Sequence, residues 1–351
     1  MNNLIFGPDY YAKIMHEFGY SPLEFEQISF SLGLMGIDAL QQQWLCHTDV
    51  KDIAIAHNNG RRMVATTGFG LSGVPHIGTL TQILKAIKLQ KAGIDTQIVL
   101  GDLDAYNGKL IPLERTQKLA KQYKGFINLL GFDDSLPHSL RSQFDSLGTL
   151  RLMYLLGRFM DQEMFDRAEE DLHLFYSERG KVDSNMTYRR KLSLNLMIAD
   201  FLELLTDDRY ASVVVFLGID EHRYVDFGRQ TLVRAQEEFP DQFLGKQYGA
   251  FYSGIIQGFN GYPKMSKSFP ESSITVDMNV SSILDRVMSG ETVTGFPETN
   301  VVFQMISMAS KYSPEQIEEA RRECAAQSRL WIAIKQDYAK HLHELCQLWH
   351  N

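Results

Sequence analysis

The sequence predicts an α/β protein with a parallel sheet, and three apolar runs lead to this prediction. They lie at residues 63–67, 97–104 and 213–217, each with the composition of a buried strand. Between the first two, residues 80–89 have apolar side chains at helical spacing. A strand, a helix and a second strand in a unit of this length favour parallel pairing with a right-handed crossover.

Composition indicates an ordinary globular protein. The chain has 351 residues, 44% of them hydrophobic and 22% charged, which is enough for two domains with a sizeable core. Its formal net charge of −8 gives no overall attraction to nucleic acid, so any RNA contact would need a local basic patch. Cys46, Cys324 and Cys346 are too scattered for a disulfide framework or a CxxC metal site.

We expect a cytoplasmic protein without a membrane anchor. No basic-then-apolar stretch follows Met1, and no apolar run has the length of a membrane span. Residues 1–60 have helix-like apolar spacing and are predicted to be a helical appendage with a structural role. A partner or RNA surface is the less favoured alternative, because no basic cluster is present.

A glycine-rich turn follows the first predicted strand and leads into the predicted helix. It contains Gly68, Gly70, Pro75, His76 and Gly78. This order places backbone N–H groups at a helix N-terminus, where phosphate binds well. The histidine adds a donor that can follow developing charge on a phosphate. A plain tight turn with a hydrogen-bonded loop histidine is the alternative interpretation.

Two acidic residues, Asp102 and Asp104, end the second predicted strand. Ligands in open α/β sheets bind beyond the carboxyl ends of the strands, so both side chains are candidates for substrate contact. A helix cap or turn is the equally favoured alternative.

Residues 251–274 are predicted to form a loop, because glycine and proline are dense there. The loop carries Lys264 and Lys267, separated by Met265 and Ser266. Two mobile cations with hydroxyl donors suit a polyphosphate whose charge grows during reaction. Taken alone, two loop lysines are more often solvated surface.

Together and in this order, two segments resemble the signatures of class I aminoacyl-tRNA synthetases. Residues 76–79 (His-Ile-Gly-Thr) are similar to the HIGH element, with Thr79 departing at its last position. Residues 264–268 (Lys-Met-Ser-Lys-Ser) match the KMSKS loop at every letter. The resemblance implies a HUP-type, Rossmann-like catalytic domain over 61–275, with a helical connecting insertion at about 112–185. It also implies a reduced helical, anticodon-binding-like domain over 276–351.

Two further segments resemble the tryptophan/tyrosine branch of that family and favour tryptophan. Met197 and Asp200 have the Met-x-x-Asp spacing of a helix in which Asp accepts the indole N–H. Ser193 stands where the branch has Tyr, and Glu221 stands where the Gly-x-Asp-Gln turn has Gln. In the family those two positions help to hold the α-ammonium group, so the resemblance implies an altered amino-acid pocket.

The resemblance implies an ATP-dependent ligase of protein biosynthesis, which uses Mg²⁺ on the phosphates, forms an aminoacyl-adenylate, charges tRNA and is a homodimer. It gives catalytic roles to His76, Thr79, Lys264 and Lys267. It gives ATP-binding roles to Gly68, Gly70, Pro75, Gly78, Gly218, Asp220, Met265 and Ser266. It gives amino-acid contacts to Ser193, Met197, Asp200, Glu221 and Asp102, and no side-chain metal site. One alternative is a paralogue that transfers the adenylate to a non-tRNA acceptor, and another is an inactive regulatory homologue.

Overall fold

The structure is a computed structural model that describes residues 6–23, 29–136, 139–169, 171–290 and 295–350. A sheet of seven strands, ordered β1-β2-β7-β6-β3-β4-β5, runs through this part of the chain. The strands are β1 (Ser21–Pro22), β2 (Cys46–Thr48), β3 (Met63–Gly70), β4 (Asp95–Gly101), β5 (Leu140–Ser142), β6 (Ser212–Gly218) and β7 (Gln247–Ser253). The five from β7 to β5 pair in parallel, whereas β1 and β2 pair antiparallel at the β7 edge.

Helices flank the sheet and form the C-terminal part of the chain. Before β6 they are α1 (Pro8–Phe18), α2 (Ile37–Gln43), α3 (Val50–Asn58), α4 (Ile77–Lys91), α5 (Asp102–Lys109), α6 (Leu113–Leu129), α7 (Leu147–Leu156), α8 (Gln162–Arg167), α9 (His173–Ser177) and α10 (Tyr188–Leu202). After β6 they are α11 (His222–Glu238), α12 (Pro240–Phe243), α13 (Val280–Ser289), α14 (Val301–Met308), α15 (Pro314–Ala326) and α16 (Arg329–Gln347).

The predicted α/β fold with a parallel sheet is confirmed. The three predicted apolar runs are β3, β4 and β6, and β3 lies between the other two. The chain leaves β3 for β4 on one side and later returns to β6 on the other. Such a change of direction opens a crevice at the carboxyl ends of the strands, which is where ligands bind in open α/β sheets.

Four strands that were not predicted, β1, β2, β5 and β7, correct the sequence analysis. The segment 1–60, expected to be helical, also contributes β1 and β2, and β2 pairs with β7. The segment 112–185, expected to be helical, contains β5, which pairs with β4. Residues 251–253, expected to begin a loop, are the end of β7. β1, β2 and β5 are two or three residues long, too short to produce a recognisable period. The division of the chain into domains stays a prediction.

The C-terminal helices share one hydrophobic core with the sheet. Buried side chains of α13 to α16 belong to the same apolar cluster as those of α4 and β3. Near the C-terminus, the Trp349 ring lies 5.3 Å from the Tyr123 ring and 5.5 Å from the Phe126 ring, both on α6.

No helix in the described ranges is both long and apolar enough to cross a bilayer. Cys46, Cys324 and Cys346 are all buried.

The segment that follows β7 is held by helices from both ends of the chain. The Tyr11 hydroxyl on α1 accepts a hydrogen bond from the Ile255 N–H at 3.0 Å. The Gln257 side chain donates to the Phe6 carbonyl at 3.1 Å. The Gln257 N–H donates to the Gln304 side chain on α14 at 2.8 Å. Phe6 and Tyr11 near the N-terminus and Gln304 on α14 therefore fix the backbone that leads into the lysine loop.

We expect Tyr11→Phe to lower the free energy of unfolding by about 1 kcal/mol or more, because a partly buried backbone N–H loses its acceptor. Urea denaturation of the two proteins would measure the difference. Tyr188→Phe is the matched control, since Tyr188 is 76% exposed and its change should stay within about 0.5 kcal/mol. Equal losses in the two variants would contradict the assigned role of the Tyr11 hydroxyl.

Candidate active site

A cavity of about 430 Å³ opens at the carboxyl ends of β3, β4 and β6. It brings together fifteen of the seventeen predicted site residues: Gly68, Gly70, His76, Gly78, Thr79, Ser193, Met197, Asp200, Gly218, Asp220, Glu221, Lys264, Met265, Ser266 and Lys267. The other two, Pro75 and Asp102, do not line it. The two motifs and the proposed amino-acid contacts therefore share one cavity, although they are far apart in the chain.

His76 begins α4 at the edge of this cavity. The residue is the N-cap of the helix, and its Nδ1 accepts the Gly78 N–H at 3.0 Å. Burial lowers the pKa of His76 well below its ordinary value, and the charges of Lys267 and Lys264 lower it further. The ring is therefore neutral at pH 7. Because Nδ1 accepts, the proton is on Nε2, which makes His76 a neutral donor.

The two motifs are joined through the backbone on either side of His76. The Ile77 N–H donates to the Ile274 carbonyl at 3.1 Å, and the Val276 N–H donates to the Pro75 carbonyl at 3.0 Å. Pro75, predicted to contact ATP, instead holds the segment that follows the lysine loop. The start of α4 and the end of that loop consequently have a fixed relation to each other.

Both loop lysines are engaged by groups of the protein. Lys264 Nζ lies 2.5 Å from Asp220 Oδ2 in an ion pair. Lys267 Nζ donates to the Gly70 carbonyl at 2.9 Å and lies 5.4 Å from the centre of the Tyr123 ring. Burial lowers the pKa of Lys267 to about 7, opposed by the charge of Asp104. A bound anion would favour the protonated form and restore the full charge.

The lysine loop has a defined internal structure. Met265 is buried, and its N–H donates to the Ile256 carbonyl at 3.3 Å. The Ser266 N–H donates to the Ser272 hydroxyl at 3.0 Å, and the Ser268 N–H donates to the Ser266 hydroxyl at 3.1 Å. These bonds place the loop over the cavity and use the Ser266 hydroxyl within the protein.

Asp102 has a structural role, which corrects its prediction as a substrate contact. The carboxylate is fully buried and accepts the backbone N–H groups of Leu103 at 3.0 Å and Phe144 at 3.1 Å. Asp102 is the first residue of α5 and does not cap it, so its bonds to the Leu103 and Phe144 N–H groups agree with a turn and not with a cap. Asp104, and not Asp102, lines the cavity. Its carboxylate lies close to the Gly70 backbone, since an added Cβ at Gly70 would be 2.8 Å from Asp104 Oδ2.

Asp200 lies in the cavity wall within a buried polar cluster. Arg141 Nη2 is 2.9 Å from Asp200 Oδ1, and both side chains are at most 5% exposed. The Gln143 amide donates to Asp200 Oδ2 at 2.6 Å. Burial raises the pKa of Asp200 to about 6, whereas Arg141 and Gln143 oppose that rise. The protein itself therefore supplies one hydrogen bond, from Gln143, and one ion pair, with Arg141, to this carboxylate.

The remaining predicted pocket residues, Ser193, Met197 and Glu221, lie around the same cavity. Ser193 is 8% exposed, and its hydroxyl has no hydrogen-bond partner in the described part of the chain. Met197 is half-buried on α10, one turn of helix from Ser193. This end of the cavity thus offers a hydroxyl, a thioether and a carboxylate.

Several lining residues were not predicted from the sequence. The polar ones include Gln82, Lys109, Gln143, Tyr176, Arg190 and Tyr224. Asp104 was considered with Asp102, but no local pattern distinguished the acid that faces the cavity. Gln143 follows β5, so only a correct prediction of that short strand would have placed it here. Within the described residues, no group of three His, Cys, Asp or Glu side chains is arranged to hold a metal ion.

We expect Gly78→Val to weaken ATP binding by about tenfold or more while the fold stays intact. An added Cβ would lie 2.8 Å from His76 Cε1 and 3.0 Å from His76 Nδ1, so the ring must move away from the helix start. Calorimetric titration with ATP would measure the loss. Gly125→Val is the matched control, because nothing lies within 4 Å of a Cβ there. Unchanged ATP affinity in a folded Gly78→Val protein would count against this phosphate site.

Comparison with known proteins finds one enzyme family similar to this chain. The tryptophan--tRNA ligase of Methanocaldococcus jannaschii is 24% identical over 340 residues, which cover 90% of this chain and 84% of that protein. The tyrosine--tRNA ligase of the same organism is 25% identical over 248 residues, which cover 71% of this chain and 72% of that protein. Both relatives therefore match well beyond the two short motifs.

The fold is similar to solved structures of tryptophanyl- and tyrosyl-tRNA synthetases. The tryptophanyl-tRNA synthetase of Aeropyrum pernix K1 superposes with a TM-score of 0.78 at 19% identity, covering 97% of this chain and 92% of that one. The tyrosyl-tRNA synthetase of Archaeoglobus fulgidus, complexed with L-tyrosine, superposes with a TM-score of 0.66 at 18% identity. The match covers 87% of this chain and 94% of that one. The family model of the class I tRNA synthetases (W and Y) matches residues 58–344, and the chain therefore belongs to that family.

Proposed function

We propose that the protein activates an amino acid with ATP and transfers the aminoacyl group to tRNA, and that the amino acid is tryptophan. The observation that supports this most directly is the meeting of a neutral His76, Lys264 and Lys267 above the start of α4. This set provides donors and positive charge where a triphosphate would lie.

In the first step, a carboxylate oxygen of the amino acid attacks the α-phosphorus of ATP. The bond to the bridging oxygen breaks, and pyrophosphate leaves. His76 donates from Nε2 to the α-phosphate, and the two lysines meet the charge that grows on the leaving pyrophosphate. In the second step, a ribose hydroxyl of tRNA attacks the carbonyl carbon, its proton is lost, and AMP leaves.

ATP binding requires the lysines to exchange partners. Lys264 is paired with Asp220, and Lys267 donates to the Gly70 carbonyl, so each must turn partly or wholly to the phosphates. Asp220 then becomes available to accept from the ribose hydroxyls. We propose that Mg²⁺ enters with ATP as part of the substrate. We further propose that Gly68, Gly78 and Gly218 let the nucleotide approach the backbone closely.

Tryptophan is favoured over tyrosine by the extent of similarity. The tryptophan--tRNA ligase relative matches 90% of this chain, whereas the tyrosine--tRNA ligase relative matches 71%. The TM-score is also higher for the tryptophanyl-tRNA synthetase structure (0.78) than for the tyrosyl-tRNA synthetase structure (0.66). Met197 and Asp200, which share the cavity, have the spacing that the resemblance associates with indole.

The deciding experiment is ATP–pyrophosphate exchange with each standard amino acid, followed by charging of total tRNA. We expect exchange with tryptophan and formation of tryptophanyl-tRNA. Exchange with tyrosine alone would overturn the tryptophan assignment but leave the enzyme class intact. No exchange with any standard amino acid would overturn the proposed function.

The second candidate is a paralogue that gives its adenylate to a small molecule or peptide. The buried, unpartnered Ser193 hydroxyl and the Glu221 carboxylate favour it, because this end of the cavity departs from the family pattern. Exchange without charging of tRNA would support this candidate, whereas efficient charging would exclude it.

We also propose a cytoplasmic homodimer. The exposed apolar side chains of α7 support a second copy as the partner, since Leu147 is 69%, Tyr154 84% and Leu155 49% exposed. Sedimentation equilibrium would measure the mass in solution, and a monomer at micromolar concentration would contradict this part of the proposal.

A further inference from the structure

The buried guanidinium of Arg141 lies directly behind the wall of the cavity. Arg141 is on β5, is 4% exposed and does not line the cavity itself. Its Nη1 donates to the Ser146 hydroxyl at 2.9 Å, which fixes the direction of the side chain. Its Nη2 lies 2.9 Å from Asp200 Oδ1 and 3.4 Å from Glu203 Oε2. The Arg141 guanidinium therefore forms ion pairs with two carboxylates, those of Asp200 and Glu203.

Asp200 depends on this cation because it is buried. A buried carboxylate without a partner takes up a proton, since the charged form is poorly solvated. Gln143 is neutral and supplies one hydrogen bond, whereas Glu203 repels the Asp200 charge. Arg141 is thus the group that keeps Asp200 ionised. The other titratable groups that line the cavity from helices packed against α10 are Asp104 and Lys109 on α5 and Tyr224 on α11. Asp220 and Glu221 line it from the short turn just before α11.

An ionised Asp200 still has acceptor sites for a ligand. A carboxylate has about four lone-pair sites. Gln143 occupies one on Oδ2, whereas Oδ1 is 2.9 Å from Arg141 Nη2 in an ion pair and has no hydrogen-bond partner among the described residues. A protonated Asp200 would instead present a hydroxyl with weaker acceptors. The ionisation state of Asp200 therefore decides whether the cavity wall favours a substrate side chain with an N–H or O–H donor.

We propose that Arg141 is a positioning residue that holds Asp200 as an oriented carboxylate, so that the cavity selects amino acids whose side chain carries an N–H or O–H donor. This inference rests on the proposed amino-acid activation. What it adds is the role of Arg141, a residue behind the wall that sets the preference for a donor-bearing side chain.

The experiment measures kcat/KM in pyrophosphate exchange for tryptophan, tyrosine and phenylalanine from pH 5.5 to 9. The ratio of either donor-bearing substrate to phenylalanine is the readout, because titration of Lys267 affects all three alike. In the unmodified protein we expect this ratio to rise with pH through about 6, as Asp200 ionises, and to level off above it.

In Arg141→Gln the same rise should move above pH 7. If the pKa of Asp200 rises to about one unit above 7, about a tenth of the groups are ionised at pH 7, so the ratio falls about tenfold. It should recover toward pH 9. Arg141→Lys keeps the positive charge and should retain most of the selectivity. A fall that raising the pH does not reverse would indicate a merely structural role and overturn the proposal.

Glu203→Gln gives an independent test if Arg141→Gln does not fold. This change removes a repelling charge while the Thr149 hydroxyl, 2.7 Å from Glu203 Oε2, keeps an acceptor. We expect the rise in selectivity to move to lower pH, opposite to the effect of Arg141→Gln. An unmoved profile would overturn the proposal. Absence of exchange by the unmodified protein with all three substrates would instead overturn the proposed function.

Discussion

We expect Lys267→Ala to lower the rate of ATP–pyrophosphate exchange by about 10²-fold or more, with a much smaller effect on ATP affinity. Lys267 Nζ lies at the Gly70 carbonyl, within the cavity, so it is placed to meet charge that appears on the leaving pyrophosphate. An interaction that strengthens only in the transition state changes kcat more than binding. Exchange kinetics together with calorimetric ATP titration would separate the two effects.

Lys51→Ala is the control, because Lys51 is an exposed lysine on α3 that does not line the cavity. It should leave exchange within about twofold of the unmodified rate. A rate within a few-fold of the unmodified protein for Lys267→Ala would contradict the role of the loop. Loss of ATP binding in proportion to the rate would mean that Lys267 binds ground state and transition state equally.

The low pKa of Lys267 adds a pH dependence with a definite sign. The side chain is charged below its pKa of about 7 and neutral above it, so the free enzyme loses this cation as the pH rises. We therefore expect kcat/KM for ATP to fall above about pH 7, since this parameter reports the free enzyme. Lys267→Arg should abolish the fall, because a guanidinium stays charged throughout this range.

The parts of the site that the sequence could predict are those encoded in contiguous segments. His76 follows a strand and a glycine-rich turn, and the helix that it caps starts at the next residue. Local spacing alone thus placed this donor at a helix N-terminus. The two loop lysines were placed in the same way, because the density of glycine and proline marked their segment as a loop. Neither argument required knowledge of distant contacts.

The parts that could not be predicted depend on contacts between distant segments. Asp102 and Asp104 are two residues apart after the same strand, and the bond that distinguishes Asp102 over a long range is the one it accepts from the backbone N–H of Phe144. Arg141 belongs to a three-residue strand whose sequence gives no periodic signal. Its partner Asp200 is on α10, so a buried ion pair between them is visible only in three dimensions.

Asp200→Ala is expected to remove most of the discrimination between tryptophan and phenylalanine, as well as much of the activity. Sites built around a polar partner reject analogues that lack it by roughly 10⁴-fold or more. With the carboxylate gone, both substrates would meet an apolar wall, and the ratio of their kcat/KM values should fall toward about tenfold, the scale of a size difference alone. Exchange assays with both amino acids at pH 7.5 would measure the ratio.

The structure imposes one condition on that experiment. Asp200→Ala leaves Arg141 buried with Glu203 at 3.4 Å as its remaining carboxylate, and breaking a buried ion pair costs about 3–5 kcal/mol. Thermal melting must therefore show that the variant is folded, and Asp200→Asn, which keeps the shape and one acceptor, should be measured beside it. Asp208→Ala, at an exposed acid, is the control for both. Activation of tryptophan with undiminished selectivity in a folded Asp200→Ala protein would rule out Asp200 as the residue that reads the side chain.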